Sequence, residues 1–293
     1  MTITSKLATS KLATLSLALG MVASVNAAQG FDPSKPAMTE LKDGVYQYSQ
    51  FFYNSLVVIT DEGVIVTDPS GEARSKMMRK EISKLTDQPV KKVIYSHDHF
   101  DHSRGGQIFK DEGAEFITQE KCTELLSRDL EARVVQPDIT YKDHYSVKLG
   151  GKQVDLHYYG PNDGDCMSII HMPTDQVLMG VDWHLPGYVN EPYRLTAHNY
   201  VAIINTFERV LNELEFDTVL SGHMPASSPE AFREDYRFNK ALFDAVWKGM
   251  QEGKTTEELK EAVRLPEFSH WRGYKENLPA HVERMSYSIW HGN

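Results

Sequence analysis

Five residues in one short segment have side chains that could bind a metal ion together. His97, Asp98, His99, Asp101 and His102 lie within six consecutive positions. Imidazole nitrogen and carboxylate oxygen suit Zn²⁺ and similar divalent ions, and alternate positions on a loop can turn toward different ions. A metal with an open coordination position lowers the pKa of a bound water to about 7, which gives a hydroxide nucleophile at neutral pH. The segment therefore predicts a metal site capable of hydrolysis.

Three more candidate ligands follow further along the chain. Asp182 and His223 each come after a predicted strand, at residues 177–181 and 218–220, and Asp163 lies in a loop after another strand. Sheets present functional groups on the loops at their strand ends. We therefore expect these side chains to join the histidine-rich segment at one edge of a sheet.

Runs of apolar and β-branched residues predict the elements that position these loops. The first part of the chain reads as a β-meander, a helix and a strand that stops at the histidines: strands at 45–51, 55–60 and 63–67, a helix at 75–85 and a strand at 92–95. The next part begins with a hairpin around Gly150 and continues with strands at 153–159, 168–172 and 177–181, a helix at 200–214 and a strand at 218–220. From about residue 229 the sequence is charged and has helical periodicity.

The first 28 residues have the pattern of a secretory signal peptide. Two lysines precede an apolar run over 12–25, and small residues follow it. The run is shorter than the roughly 20 residues that a spanning helix needs, so we expect cleavage after Ala27 or Ala28. This predicts a mature metal-binding domain over 29–293, periplasmic or secreted, with no membrane association after cleavage.

Charge and cysteine content limit the partners. The formal net charge is −10, and it becomes −12 once Lys6 and Lys11 leave with the signal peptide. An acidic surface repels phosphate backbones, so we expect a small-molecule substrate and no nucleic-acid partner. Export would permit a disulfide between Cys122 and Cys166, but spacing does not determine pairing, and two unlinked thiols are the starting expectation.

The segment 96–106 closely resembles the HxHxDH motif of the metallo-β-lactamase superfamily. Other segments resemble further motifs of this family in matching order and spacing: 63–68, 160–165, 180–182 and 221–223. The resemblance runs from about Gly44 to Pro225. It implies an α+β fold, a four-layer αββα sandwich of two sheets flanked by helices, with the metal site at one edge of the two sheets.

The resemblance also implies which residues bind metal. Two sets would supply the ligands of a first and a second ion: His97 and His99 for the first, and Asp101, His102 and His223 for the second. Asp182 would bridge the two ions, and either Asp101 or Asp182 would steer the nucleophile. Asp68 is similar to the carboxylate that orients these ligands. Its other interpretation is a turn residue after a strand.

One position departs from the family pattern. Where members commonly have a third histidine for the first ion, this chain has Asp163. As a ligand, Asp163 would complete a set of two histidines and one carboxylate, which Fe²⁺ and Mn²⁺ accept as well as Zn²⁺. As a turn residue, it would leave the first position weak and a single ion at the second. The expected cofactor is one or two zinc ions, with iron or manganese as alternatives.

The segment after Asp182 resembles the family's substrate-facing loop. It is compatible with an aromatic and cationic wall made by Trp183, Tyr188, Tyr193 and Arg194. Packing in the core or on the surface is the other interpretation of each of these residues taken singly. His184 is the best additional candidate for the pocket, and the role of His198 stays open. The remaining histidines are expected to be structural or solvated: His144, His157, His171, His270, His281 and His291.

These observations predict an exported hydrolase that uses metal-bound hydroxide to attack an ester, lactone, amide or β-lactam carbonyl. The sequence has no serine nucleophile elbow, phosphate loop or dinucleotide-binding motif that would compete for the catalytic role. Two alternatives stay open. One is a metal-binding protein without turnover, in which Asp163 has disabled the site, and the other is a non-haem iron oxidoreductase on the same fold.

Overall fold

The computed structural model describes residues 34–195 and 198–292, so the predicted signal peptide lies outside the described residues. The described part contains twelve strands: β1 (Ala37–Lys42), β2 (Val45–Gln50), β3 (Tyr53–Thr60), β4 (Gly63–Thr67), β5 (Val90–Ile94), β6 (Glu115–Gln119), β7 (Ile139–Tyr141), β8 (His144–Leu149), β9 (Lys152–Tyr158), β10 (Ser168–Met172), β11 (Val177–Met179) and β12 (Thr218–Leu220). It also contains eight α-helices: α1 (Glu72–Ile82), α2 (Phe100–Ser103), α3 (Gln107–Asp111), α4 (Cys122–Ser127), α5 (Tyr200–Glu213), α6 (Pro229–Gln251), α7 (Thr256–Ala262) and α8 (Tyr274–His291).

The first sheet has seven strands in the order β1 to β7. Strands β1 to β4 pair antiparallel, and β4 to β7 pair in parallel. Every residue of β4 is buried, as expected for a parallel strand that is covered on both faces. Thr67 is paired with Ile94 at the ends of β4 and β5. The loops that carry Asp68 and His97 therefore leave the sheet side by side.

The second sheet has five strands in the order β12, β11, β10, β9, β8. Strands β8 to β11 pair antiparallel, and β11 and β12 pair in parallel. Met179 at the end of β11 is paired with Leu220 at the end of β12. This register brings the segments that carry Asp182 and His223 to the same edge.

Helices cover the outer face of each sheet. Helices α1, α3 and α4 pack on the first sheet through an apolar cluster that includes Met78, Phe109 and Leu126. Helices α5 and α6 contribute Phe207 and Phe232 to a second cluster, which also fills the space between the sheets. Burial of each large apolar side chain contributes about 1.5–3 kcal/mol. The arrangement is the predicted four-layer αββα sandwich.

The helical region after about residue 229 adds a further apolar cluster. Leu242 of α6, Leu259 of α7 and Met285 of α8 are buried together in it. Among the described helices, none combines the length and the apolar character that crossing a bilayer requires. Helix α8 begins beside the cleft described below, so this region contributes to the site as well as to stability.

Some boundaries differ from the sequence-based expectations. The pattern does not predict β1, because this edge strand is largely exposed and lacks apolar alternation. Helix α1 begins at Glu72 and ends at Ile82, each three residues before the predicted bound, because its polar first turn carries no periodic signal. Strand β11 ends at Met179, two residues early, where the backbone turns sharply.

The expectation of two unlinked thiols is wrong. Cys122, the first residue of α4, and Cys166, in the loop before β10, form a disulfide with a Cα–Cα distance of 5.3 Å, inside the range that a disulfide spans. They are 44 residues apart in sequence, and only the folded arrangement places them together. The bond attaches the loop that carries Asp163 to the helical layer of the first sheet.

Candidate metal centre

The seven predicted ligands all lie on loops or in short helix α2, at one edge of the two sheets. Six of them form two sets, which we call the first ligand group and the second ligand group: His97, His99 and Asp163, and Asp101, His102 and His223. Within each group, one ligand atom of each residue lies within 4.8 Å of the others. Asp182 is within the same distance of the first ligand group.

Asp182 also reaches the second ligand group. Its Oδ2 is 3.7 Å from His97 Nε2 and 3.2 Å from His102 Nε2. Its Oδ1 is 3.2 Å from His223 Nε2. A carboxylate that faces imidazoles of both groups agrees with the bridging position implied by the family resemblance.

Asp68 and Ser96 orient two of the histidines. Asp68 accepts hydrogen bonds from the Ser96 amide at 2.8 Å and the Ser96 hydroxyl at 2.7 Å, and its Oδ2 is 3.4 Å from His102 Nδ1. Because the Ser96 hydroxyl donates to Asp68, it accepts from His97 Nδ1 at 2.9 Å. Both rings therefore direct Nε2 toward the centre. This geometry favours the orienting role of Asp68 over that of a turn residue.

Close backbone packing fixes Asp182 and His223. A Cβ atom at Gly222 would lie 2.4 Å from Asp182 Oδ1, so only glycine fits beside that carboxylate. Val181 has a φ of 34°, a left-handed conformation that is rare for a β-branched residue and costs on the order of 1–3 kcal/mol. His223 Nδ1 donates to the Phe52 carbonyl at 2.8 Å. The fold thus tolerates backbone strain in order to place Asp182.

The buried imidazoles have shifted pKa values. Burial, together with the neighbouring His99 and His102 rings, lowers the pKa of His97 well below its ordinary value. Burial also disfavours a charge on His102, but the Asp182 and Asp68 carboxylates outweigh it and raise the pKa of His102 well above the ordinary value. His97 therefore has a neutral ring with an available lone pair, and a divalent ion would displace the proton of His102.

The donor set fits a divalent metal. His97 Nε2 and Asp182 Oδ1 are buried, and neither makes a well-aligned hydrogen bond with the residues that the structure describes, although His223 Nε2 lies 3.2 Å from Asp182 Oδ1. Buried polar atoms ordinarily have a partner. A cation at this point would satisfy both atoms, and imidazole and carboxylate are ordinary ligands of zinc, iron and manganese.

Asp163 is buried and directs one oxygen toward each of two histidines. Its Oδ2 lies 3.9 Å from His99 Nδ1, and its Oδ1 accepts a hydrogen bond from His198 Nδ1 at 2.8 Å. A residue that only forms a turn usually bonds its side chain to the nearby backbone. The geometry therefore favours Asp163 as a ligand, with His198 as the residue that orients it.

A cleft of about 700 Å³ opens over the ligands. Its wall includes Tyr188, Tyr193 and Arg194, as the sequence predicts. It also includes Arg272 from the chain just before α8, whose guanidinium lies 3.7 Å from the centre of the Tyr188 ring. No spacing pattern connects Arg272 to the motifs, so the sequence offers no signal for it.

Two candidates for the pocket lie in the core instead: His184, whose predicted place is thereby corrected, and Trp183, for which core packing was the other interpretation. Trp183 packs edge-on against Phe207, with ring centres 4.8 Å apart. His184 is fully buried and bonds to Asp235 at 3.0 Å and to Ser227 at 2.8 Å. The reason is the tight turn after β11, which directs both side chains inward rather than toward the cleft.

Comparisons with known proteins give this chain similar proteins of one superfamily. The family model for the metallo-beta-lactamase superfamily matches residues 48–180. The chain is 29% identical over 224 residues to the metallo-beta-lactamase type 2 of Elizabethkingia meningoseptica. The alignment covers 71% of this chain and 86% of that protein. It is also 21% identical over 282 residues to a linear primary-alkylsulfatase of Pseudomonas sp. This alignment covers 78% of this chain and 52% of the relative.

The fold is also found in a solved structure, the stereoselective inverting sec-alkylsulfatase from Pseudomonas sp. The two structures align with a TM-score of 0.74 at 16% identity, covering 88% of this chain and 50% of the other. This chain thus spans about half the length of the two alkylsulfatases. Family match, relatives and fold lead to one conclusion: residues 48–180 match the metallo-β-lactamase superfamily, and the chain is similar over most of its length to metal-dependent hydrolases of that superfamily.

Proposed function

We propose that this chain is an exported hydrolase for a small anionic substrate with an ester, lactone, amide or β-lactam carbonyl. The observation that supports this most directly is the meeting of seven imidazole and carboxylate ligands at the floor of an open cleft. A divalent metal bound there activates a water for attack and polarises the substrate oxygen. We infer that the metal is zinc, as one or two ions, although the Asp163 carboxylate also suits iron or manganese.

Asp101 and Tyr53 are placed to position the attacking water. Asp101 lines the cleft, and its side chain is 45% exposed. The Tyr53 hydroxyl donates to Asp101 Oδ2 at 3.3 Å. Burial and the Asp101 charge raise the pKa of Tyr53 to about 12, so Tyr53 keeps its proton at neutral pH. This hydrogen bond holds the Asp101 carboxylate at the cleft floor, where it can accept a proton from the water.

Two arginines on the cleft wall support the proposal that the substrate is an anion. Arg194 has a side chain that is 42% exposed, and its charge acts on both Asp182 and Tyr53. The Arg272 guanidinium lies over the Tyr188 ring, 3.7 Å from its centre. Guanidinium groups bind carboxylates and sulfates through paired hydrogen bonds. A substrate whose anionic group contacts this wall would present its scissile bond to the ligands below.

A sulfate ester is the second candidate substrate class. The alkylsulfatase relative that aligns with 78% of this chain favours it, and the same arginines would suit the terminal oxygens of a sulfate group. In this case the reacting centre is sulfur or the adjacent carbon rather than a carbonyl. The metal ligands and the cleft would serve both substrate classes.

A substrate panel distinguishes the two classes. Zinc-loaded wild-type protein is assayed with a chromogenic cephalosporin, a nitrophenyl acetate, a lactone and a nitrophenyl or alkyl sulfate. The controls are Asp182→Ala and Asp87→Ala, which removes an exposed carboxylate outside the motifs. We expect zinc-dependent hydrolysis of a carbonyl substrate, with a kcat/KM at least about 1,000-fold above that of Asp182→Ala. Activity on sulfate esters alone would favour the second class. No turnover at full zinc occupancy would favour the metal-binding alternative.

We also propose that the protein is delivered to the periplasm after cleavage behind Ala27 or Ala28. The support is the pattern of Lys6, Lys11 and the apolar run that follows them. N-terminal sequencing of protein from the exported fraction should show a chain that begins at Ala28 or Gln29. Intact Met1 on that material would contradict the proposal.

A further inference from the structure

A separate group of metal-binding side chains lies away from the cleft. His144 on β8 and His157 on β9 are directly paired across the two strands. Asp155 lies two residues before His157 and therefore on the same face. His144 Nε2 is 3.7 Å from Asp155 Oδ1, and the two imidazole ring centres are 4.8 Å apart. We call these three residues the strand-edge cluster, because β8 is an edge of the five-stranded sheet.

We propose that the strand-edge cluster binds a divalent first-row transition metal such as Zn²⁺ or Cu²⁺, independently of the candidate metal centre. Two imidazoles and a carboxylate are a ligand set that these ions prefer, whereas Mg²⁺ and Ca²⁺ prefer oxygen alone. One ligand atom from each of the three residues lies within 4.8 Å of the others. Ligand atoms bonded to one ion at 2.0–2.2 Å are roughly 3–4 Å apart, so only small side-chain rotations are needed.

His157 supplies the second observation that points to a ligand. Its Nε2 is buried and makes no hydrogen bond within the part of the chain that the structure describes. A buried nitrogen without a partner carries a desolvation cost. Burial, aided by the nearby His144 ring, also lowers the pKa of His157 to about 4. The ring is therefore neutral at pH 7, which is the form that binds metal.

The other two members of the cluster complement His157. The Asp155 carboxylate accepts hydrogen bonds from Ser146 and Gln153, which fix its orientation and still leave lone pairs for an ion. The side chain of His144 is 50% exposed. It therefore opens the cluster to solvent and gives an ion a path of entry and room for water ligands.

The position of the cluster separates it from the hydrolytic chemistry. Along β9, Val154 and Leu156 are buried in the core between the sheets, so Asp155 and His157 project from the other face. The ligands of the candidate metal centre lie beyond the strand ends, and no member of the strand-edge cluster lines the cleft. An ion bound here would not contact the substrate.

Calorimetric titration of the metal-free protein with Zn²⁺ tests the proposal. Wild type is compared with His144→Ala and with His270→Ala, which removes an exposed histidine elsewhere and serves as the matched control. Wild type and His270→Ala should bind one more zinc per chain than His144→Ala, or bind that ion at least about tenfold more tightly. Asp155→Asn keeps the side-chain shape but removes the charge, and it should weaken the same ion.

Thermal melting of the metal-free proteins shows that the variants remain folded, since His144 is exposed and its removal leaves the core unchanged. Equal zinc stoichiometry and affinity in wild type, His144→Ala and Asp155→Asn would overturn the assignment. Metal counting needs no substrate. Failure of this proposal is therefore distinguishable from failure of the proposed function.

Discussion

The first and second ligand groups differ in how tightly they are assembled. In the second group, His102 Nε2 lies 3.2 Å from Asp182, 3.3 Å from His223 Nε2 and 3.9 Å from Asp101. In the first group, His97 lies further from the shared Asp182, at 3.7 Å, and His99 is 3.9 Å from Asp163. One group is held close by its neighbours, and the other depends on the loop that carries Asp163. We therefore expect the second group to bind its ion more tightly.

Asp182→Ala should have the largest effect, because Asp182 faces both groups. We expect loss of metal from both positions and a fall in kcat/KM of at least about 1,000-fold. His102→Ala should act in the same direction. Metals per chain and steady-state rates are measured together, with Asp87→Ala as the control for an exposed carboxylate. Full metal content and turnover in both variants would contradict the site assignment.

Asp163→Ala should lower metal binding by the first ligand group and leave that of the second ligand group unchanged. Removal of this carboxylate should empty the first position, at about one metal per chain, while the second group keeps its ion. Asp163→His should restore occupancy and shift the preference toward Zn²⁺ over Mn²⁺ or Fe²⁺, because imidazole is a softer ligand than carboxylate. Metals per chain at equal free-metal concentration decide this. Unchanged occupancy in Asp163→Ala would remove it from the ligand set.

His198→Ala should have a smaller effect that is confined to the first group. His198 donates to Asp163 and does not face the second group, and loss of such an orienting partner typically weakens metal binding by about 10- to 100-fold. His198→Asn retains a donor and should recover part of the affinity. If His198 were only structural, both variants would lower the melting temperature and leave the metal affinity of the first position unchanged.

Loss of the disulfide should have the smallest effect on metal binding. The bond joins residues 44 apart, and closing such a loop stabilises the fold by about 4 kcal/mol. A Cys122→Ser/Cys166→Ser variant should therefore unfold at lower denaturant concentration. Its first position should weaken by a few-fold, since Cys166 follows Asp163 in the same loop, and its second position should not change. Equal weakening at both positions would argue against the distinction between the groups.

Strong local patterns made much of the fold predictable. Strands β10 and β12 have the predicted bounds because apolar runs between turns define them. Most of the candidate ligands could be predicted for a similar reason. The residues from His97 to His102 form one contiguous motif, and Asp182 and His223 each follow a strand end. The resemblance added order and spacing to these local signals.

Other features depend on tertiary contacts that a sequence does not display. The pairing of His198 with Asp163 and of Arg272 with Tyr188 joins segments with no common spacing. Trp183 shows a related difficulty. Its place after Asp182 was clear from the sequence, but the turn that directs its ring into the core was not. Sequence position identifies a loop more readily than it identifies which side chains of that loop face a cavity.

Arg272, Glu276 and Asn277 form a part of the cleft wall that could change in evolution while the candidate ligands stay the same. All the candidate ligands precede residue 224, whereas these three residues follow α7. The candidate ligands and part of the proposed substrate-binding wall are thus encoded in separate stretches of the chain. A tail transplanted from a homologue would bring new selectivity to an unaltered set of ligands.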